Sequence, residues 1–296
     1  MGHSRGAGCD ERRGNETRAG AEMRGITVTL QKGGVGKTTV AINLAERLAT
    51  RDNDVLLVDV DPQGSATEGV GCGDAYTAER SLRHVLERTD PLDPGALCRP
   101  VAGDTRFDLL PSNAELQHVS RRIYGDDSGE LLFYRRIVKP LADEYDWVVF
   151  DAPPTIGPLS NAALIATRQV VLPLQLSKPS ADALIRTVTN QLFSLNDRLS
   201  DPIDILSIVP NRVKGDNEEK RVLEAIEDSQ FEPYLPSFSR SDRLETSPGP
   251  GIRERIAFRR AYRDGVPLST YDPNADMLER FETLAAIVEN RSTESV

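Results

Sequence analysis

The segment Gln31-Lys32-Gly33-Gly34-Val35-Gly36-Lys37-Thr38-Thr39 constrains this chain more than any other feature. It follows a short apolar run, residues 25–30. It opens a stretch, residues 38–50, in which Val40, Ile42, Leu44, Ala45 and Leu48 lie close to a helical stripe. A glycine-rich turn between a buried strand and a helix N-terminus points consecutive backbone N–H groups inward. The helix adds the positive end of its dipole. Such a turn is an anion cradle, and the strand–turn–helix context is what a phosphate-binding loop requires. In that reading Lys37 reaches the β- and γ-phosphates of a nucleotide and Thr38 offers its hydroxyl to Mg²⁺. Gly33, Gly34, Val35, Gly36 and Thr39 complete the cradle.

The rest of the chain supplies a sheet for this loop. Runs at 55–60, 107–113, 147–154, 169–175 and 203–211 read as further strands, and helical patterns such as 181–195 lie between them. Buried strands alternating with amphipathic helices predict an α/β class: a doubly wound, mostly parallel sheet with helices on both faces, the P-loop NTPase fold. Ligands of such sheets bind beyond the carboxyl ends of the strands. The Pro-, Gly- and Ser-rich residues 233–253 predict an irregular loop, with helices following at about 254–264 and 274–290. Residues 1–22 are Gly-rich and charged without periodicity, and are expected to be a disordered extension. Residues 23–296 are expected to form a single domain.

Acidic residues stand at strand ends. Asp59 and Asp61 follow the run 55–58, and strand alternation points both to one side. Asp59 reads either as a site acid or as a helix cap. Asp151 closes residues 147–150 in the hhhhD form of a Walker B acid, which holds Mg²⁺ through a water or hydroxyl. Asn211 ends the run 203–211. It reads as an ordinary turn residue or as a purine contact, since an amide both donates and accepts.

Composition narrows the function classes. A net charge of −10 and a pI of about 5.0 argue against a generally basic nucleic-acid binder and leave room only for a local patch. No apolar run approaches the roughly 18 residues of a membrane span. The first residues lack a signal-peptide core, so a cytoplasmic location is expected. Cys9, Cys72 and Cys98 are widely spaced without a C-x-x-C and read as reduced thiols. Six lysines stand against thirty arginines, which fits either a salt-adapted host or a GC-rich genome.

Gln31 stands where the general P-loop pattern has its first glycine, and Lys32 adds a second lysine. This K-G-G-x-G-K-T loop occurs with LLVDVDPQGSAT (56–67), FDLLPSNAEL (107–116), YDWVVFDAPP (145–154) and IRERIAFRRAYRDGVPL (252–268). Together they resemble ParA/Soj partitioning ATPases, of the deviant Walker A group that includes MinD, over about residues 23–285. The resemblance implies ATP and Mg²⁺ as cofactors and a homodimer formed with ATP. Lys32 would cross the dimer interface to touch the partner's nucleotide, like an arginine finger supplied in trans. Asp61 would serve hydrolysis, and Asn211 the adenine edge. A ParB-like activator would stimulate a weak ATPase, and the ATP dimer would bind non-specific DNA and so associate with the nucleoid.

Residues 239–264 hold seven arginines against four acids, Asp242, Glu245, Glu254 and Asp264. Arg253, Arg255, Arg259, Arg260 and Arg263 are the DNA-binding candidates. Arg255, Arg259 and Arg263 are expected four apart on one helix face. The alternative is a solvated face paired with nearby acids. One stretch departs from the family: LSKPSADAL (176–184) stands where relatives carry an acidic, aromatic-containing segment. No cysteine follows Cys98, which excludes the iron–sulfur cluster of the nitrogenase iron protein. The C-terminal stretch 275–296 is amphipathic but acidic, so it is expected to pack on the domain and not on a membrane. Three other readings remain: the same ATPase positioning a chemosensory or motility cluster, a biosynthetic P-loop enzyme of the dethiobiotin or cobyrinate type, and a catalytically silent binding protein. The intact Lys37, Thr38, Asp61 and Asp151 speak against the last.

Overall fold

The computed structural model describes residues 23–294, apart from 88, 104–105, 124–128 and 244–245. The disorder expected for residues 1–22 lies outside the described residues, as do Cys9 and Glu245. The strands are β1 (Arg24–Val28), β2 (Val55–Asp59), β3 (Arg99–Pro100), β4 (Phe107–Leu110), β5 (Trp147–Asp151), β6 (Gln169–Leu174), β7 (Asp204–Val213) and β8 (Ile252–Arg253). They form one eight-stranded sheet in the order β3-β4-β2-β5-β1-β6-β7-β8. Every pairing is parallel except β3 against β4. The short antiparallel edge strand β3 and the two-residue β8 carry too few residues to announce themselves as a pattern.

The principal helices are α1 (Lys37–Ala49), α2 (Ser65–Gly69), α3 (Leu116–Ile123), α4 (Pro158–Thr167), α5 (Lys178–Arg186), α6 (Asn217–Glu227), α7 (Ile256–Asp264) and α8 (Leu278–Glu294). Strand alternation sorts the core into two layers. Ile26, Val28, Leu57, Leu109 and Val149 face one layer, with Val40 and Leu44 of α1 and Phe281, Leu284 and Val288 of α8. Leu56, Val58, Val148 and Phe150 face the other side, beneath Phe133 and Ile137, while Leu172 and Ile208 meet Leu184, Val188 and Leu192. The acidic C-terminal helix therefore does pack on the domain. Arg51 bonds Glu289 at 2.7 Å and also pairs with Glu282, tying α8 to the end of α1.

Helix α5 runs on through a π-helical stretch, Thr187–Leu192, into Phe193–Asn196. π-Turns often mark functional sites, and this one grips the start of the phosphate loop. Thr187 Oγ1 accepts the N–H of Gln31 at 3.2 Å. Gln31 Nε2 meets Gln191 Oε1 at 3.4 Å, and Gln191 Nε2 donates to Ser160 Oγ at 3.0 Å and Asn161 Oδ1 at 2.9 Å, both on α4. A glycine at position 31 would lack the side chain that makes this link.

Candidate nucleotide site

β1 lies between β5 and β6, so the loop that leaves it stands near the middle of the sheet edge. Gly34 and Gly36 have φ of +77° and +87°, a region that disfavours side chains. A Cβ on Gly36 would fall 2.2 Å from Asn211 Nδ2, so packing and conformation both demand glycine there. At Gly33 and Gly34 a Cβ would meet nothing within 4 Å, because that side of the loop is open. No side chain caps α1, and its first turn holds no acid. The first-turn N–H groups are therefore available to an anion.

Lys37 is buried at 8% exposure, and its Nζ donates to the carbonyl of Lys32 at 3.1 Å. Burial lowers its pKa, while the charges of Asp151 and Asp61 pull the other way. Thr38 Oγ1 donates to Asp151 Oδ2 at 2.7 Å. Parallel register sets Asp59 of β2 beside Asp151 of β5, which brings the two strand-end acids together. Burial, then the neighbouring charge of Asp59, holds the Asp151 carboxyl well above the usual range. Burial pushes Asp59 up to about 7, opposed by the backbone and hydroxyl of Thr67.

Asp61 and Asp151 thus act on a single ammonium, and Asp59 lies beside Asp151. Asp151 Oδ1 is buried and has no hydrogen-bond partner among the described residues. A divalent cation matches both the unused oxygen and the surplus negative charge. The donor set, a Thr hydroxyl and a carboxylate, suits Mg²⁺, which takes hard oxygen ligands and keeps several waters.

Asp59 is not the N-cap of α2, which is Gly64, but it bonds that helix from the strand end. Its Oδ2 accepts the N–H of Thr67 at 2.8 Å, so it does serve the first turn of α2. Asp61 is partly buried, and its Oδ1 accepts the N–H of Gln63 at 3.0 Å in an Asx turn. Asn211 reaches the loop: its Nδ2 donates to Val35 O at 2.8 Å, and its Oδ1 accepts the N–H of Arg212 at 2.9 Å. Its amide latches the phosphate loop, a duty its sequence position did not reveal.

Lys32 Nζ donates to Ser180 Oγ of α5 at 2.7 Å. Ser180 is fully buried and belongs to the 176–184 segment. Two further residues went unseen in the sequence. Arg212 donates to Gly34 O at 2.8 Å and to Glu254 Oε1 at 2.9 Å, bracing the loop from outside. Ser180 had no signal beyond its place in the 176–184 stretch, whereas Arg212 adjoins the singled-out Asn211.

The arginine candidates are rearranged. Arg255 does not lie on the helix: it is the extended N-cap of α7, with φ −132° and ψ 142°, and it pairs with Asp276 at 2.6 Å. The cause is β8. Its pairing with β7, extended by the bond from Glu254 N to Val213 O at 3.1 Å, holds the backbone extended past Arg253. Arg253 donates to Lys214 O at 2.7 Å, and its guanidinium packs over Gly215 and Gly249, where it braces loops. Arg259, Arg260 and Arg263 remain exposed on α7, with Arg263 paired to Asp264 at 2.9 Å. The expected three-arginine stripe through Arg255 is thus a different cluster of three on one turn.

A phosphate loop at the end of a central parallel strand, with a Walker B acid on the neighbouring strand, defines a P-loop nucleotide-binding protein of the ATPase class. A family model described as an AAA domain matches residues 23–205. The chromosome-partitioning ATPase Soj of Thermus thermophilus is 40% identical over 183 residues, covering 60% of this chain and 67% of that protein. The sporulation initiation inhibitor protein Soj of Bacillus subtilis is 28% identical over 264 residues, covering 88% and 96%. The fold matches that of a single-residue variant of Cyanothece McdA in its ATP complex, with a TM-score of 0.76 at 24% identity over 91% of this chain and 98% of that one. The chain belongs to the ParA/Soj family of partitioning ATPases. No described helix is long and apolar enough to cross a membrane.

Proposed function

We propose that this chain is an ATP-dependent, dimerising switch that hydrolyses ATP to drive chromosome or plasmid partitioning on non-specific DNA. The observation that carries the reading is the pairing of a complete phosphate cradle with a second lysine directed away from it. Lys37 bonds the Lys32 carbonyl, while the Lys32 ammonium sits on Ser180. Lys32 is thus free of its own cradle and must leave Ser180 to reach a nucleotide across a dimer interface. Within one subunit, the loop amides and Lys37 bind the phosphates. Thr38 and Asp151 would hold Mg²⁺, Asp151 through water, and the ion would supply positive charge beside the phosphates. Asp61, partly buried beside Lys37, orients the attacking water. Asn211 would serve the adenine edge by giving up its amide bonds to Val35 and Gly36.

The test is the ATPase rate with and without DNA and a ParB-like protein. The expected result is slow basal turnover, raised by the two together. Turnover that instead waits on an added carboxylic acid acceptor would point to the biosynthetic reading. A ParB-like gene beside this one separates partitioning from the positioning of another cargo.

Arg259, Arg260 and Arg263 form the DNA patch in this proposal. One patch makes few phosphate contacts on an acidic protein, and an ATP dimer sets two on one duplex, so the second contact becomes intramolecular. Replacing all three with alanine is expected to weaken ATP-dependent DNA binding and to flatten its log–log salt slope by about 0.9 for each phosphate no longer neutralised. Arg255→Ala, which breaks the pair with Asp276 and a bond to the neighbouring Glu254 carbonyl, should change neither. Mobility-shift titrations at several salt concentrations decide it. Equal affinity of the triple variant and wild type with ATP would make α7 a solvated face only.

A further inference from the structure

Asp61 lies in the loop between β2 and α2, and a catalytic group must be held to within about half an ångström of its working geometry. Three buried side chains grip this loop. Asp59 Oδ1 accepts the N–H of Asp61 at 3.2 Å. Asp59 Oδ2 accepts both the N–H and the hydroxyl of Thr67, each at 2.8 Å. Thr67 Oγ1 accepts the N–H of Ser112 at 2.9 Å. The Ser112 hydroxyl then donates to the carbonyl of Asp61 at 2.6 Å and closes the ring. Asp59, Thr67 and Ser112 are all 0% exposed.

The proton directions in this ring are determined. A backbone N–H can only donate, so the Thr67 oxygen accepts from Ser112 and its single proton goes to Asp59. A carbonyl can only accept, so the Ser112 proton goes to Asp61. A buried network with each hydroxyl committed in this way is rigid, and losing one member leaves the others short of a partner. The two ends of the Asp61 residue, its N–H and its C=O, are the points the ring holds. Ser112 follows β4, which neighbours β2 on the side away from β5. The ring therefore anchors the Asp61 loop to the strand flanking it.

We propose that Ser112 and Thr67 are positioning residues for ATP hydrolysis, fixing the backbone of Asp61 from both sides, Ser112 directly and Thr67 through Asp59. This rests on the reading of Asp61 as the group that orients the attacking water. Ser112 and Thr67 act through Asp61 and need no contact with phosphate.

The experiment uses the full chain with Mg²⁺-ATP, measuring kcat, KM and the affinity of a fluorescent ATP analogue. The variants are Ser112→Ala, Thr67→Val, Asp61→Ala and the double variant Ser112→Ala/Asp61→Ala. Misplacing a reacting group by a fraction of an ångström to 1 Å costs about 10- to 100-fold. Ser112→Ala should lower kcat by that amount while KM and analogue affinity stay within about twofold, since the cradle is untouched. Thr67→Val, which keeps side-chain volume, should move kcat the same way. The double variant should be no slower than Asp61→Ala alone, because the strut then has nothing to position. Full kcat in both Ser112→Ala and Thr67→Val overturns the proposal, and so does a further tenfold loss in the double variant. If Asp61→Ala itself turns over at the wild-type rate, the reading of Asp61 fails and takes the proposal with it. That outcome is distinct from a slow Asp61→Ala beside a fast Ser112→Ala, which overturns the positioning role alone.

Discussion

Lys32→Ala should still bind ATP but hydrolyse it about 10³-fold more slowly, the lower end of what a charge supplied in trans to a phosphoryl transition state contributes. Binding should survive because the cradle is built from other groups. The glycine backbone at Gly34 and Gly36, the uncapped start of α1 and the ammonium of Lys37 are all left in place. Lys37 bonds the main-chain carbonyl of residue 32, which alanine retains. What is removed is the ammonium now on Ser180, the group proposed to bridge to the partner's nucleotide. Light scattering with Mg²⁺-ATP should therefore find the variant monomeric where wild type dimerises, and ATPase assays should find it nearly silent. Wild type that stays monomeric with Mg²⁺-ATP at every salt concentration tested would sink the trans-lysine reading.

Asp61→Ala should lower kcat by about 10²-fold or more, in the range of a missing general base or water-orienting group, and should leave ATP bound. Among the described residues the carboxylate accepts the local Gln63 N–H at 3.0 Å, and it contributes no donor to the cradle. Its charge does help hold Lys37 protonated, but Asp151 acts on Lys37 more strongly. The variant is thus expected to accumulate as an ATP-bound dimer, read by single-turnover kinetics and by size in the presence of ATP. Unchanged turnover, or complete loss of ATP binding, would reject the assigned role.

The phosphate loop, the parallel sheet and the strand-end acids were legible from the chain itself because each depends on short-range physics. Positive φ at Gly34 and Gly36 is a steric matter settled within one residue. The apolar runs at 55–58 and 147–150 suit strands covered on both faces, as a parallel sheet provides, and the structure buries every one of those residues completely. Asp59 and Asp151 could be placed at strand ends, but not beside each other, until the register of β2 with β5 was known.

The arginine segment shows where local pattern misleads. A four-residue spacing on a helix-forming stretch put Arg255 with Arg259 and Arg263. Two residues of edge pairing, Ile252 and Arg253 on β7, delay the helix to Ile256 and send Arg255 to Asp276. Long-range strand pairing outweighs a weak helical propensity at a helix terminus.

What the sequence alone determined about this protein is the backbone chemistry: a phosphate loop between a short apolar strand and a helix, two lysines in it, and acids where the strands end. The tertiary structure alone decided which hydroxyls serve those acids and lysines. Ser112 reaches Asp61 because β4 lies beside β2, and Ser180 reaches Lys32 because α5 follows β6 next to β1. A serine hydroxyl can donate to or accept from almost any nearby polar atom, so its partner is chosen by the order in which strands are laid side by side, and no window of sequence contains that order.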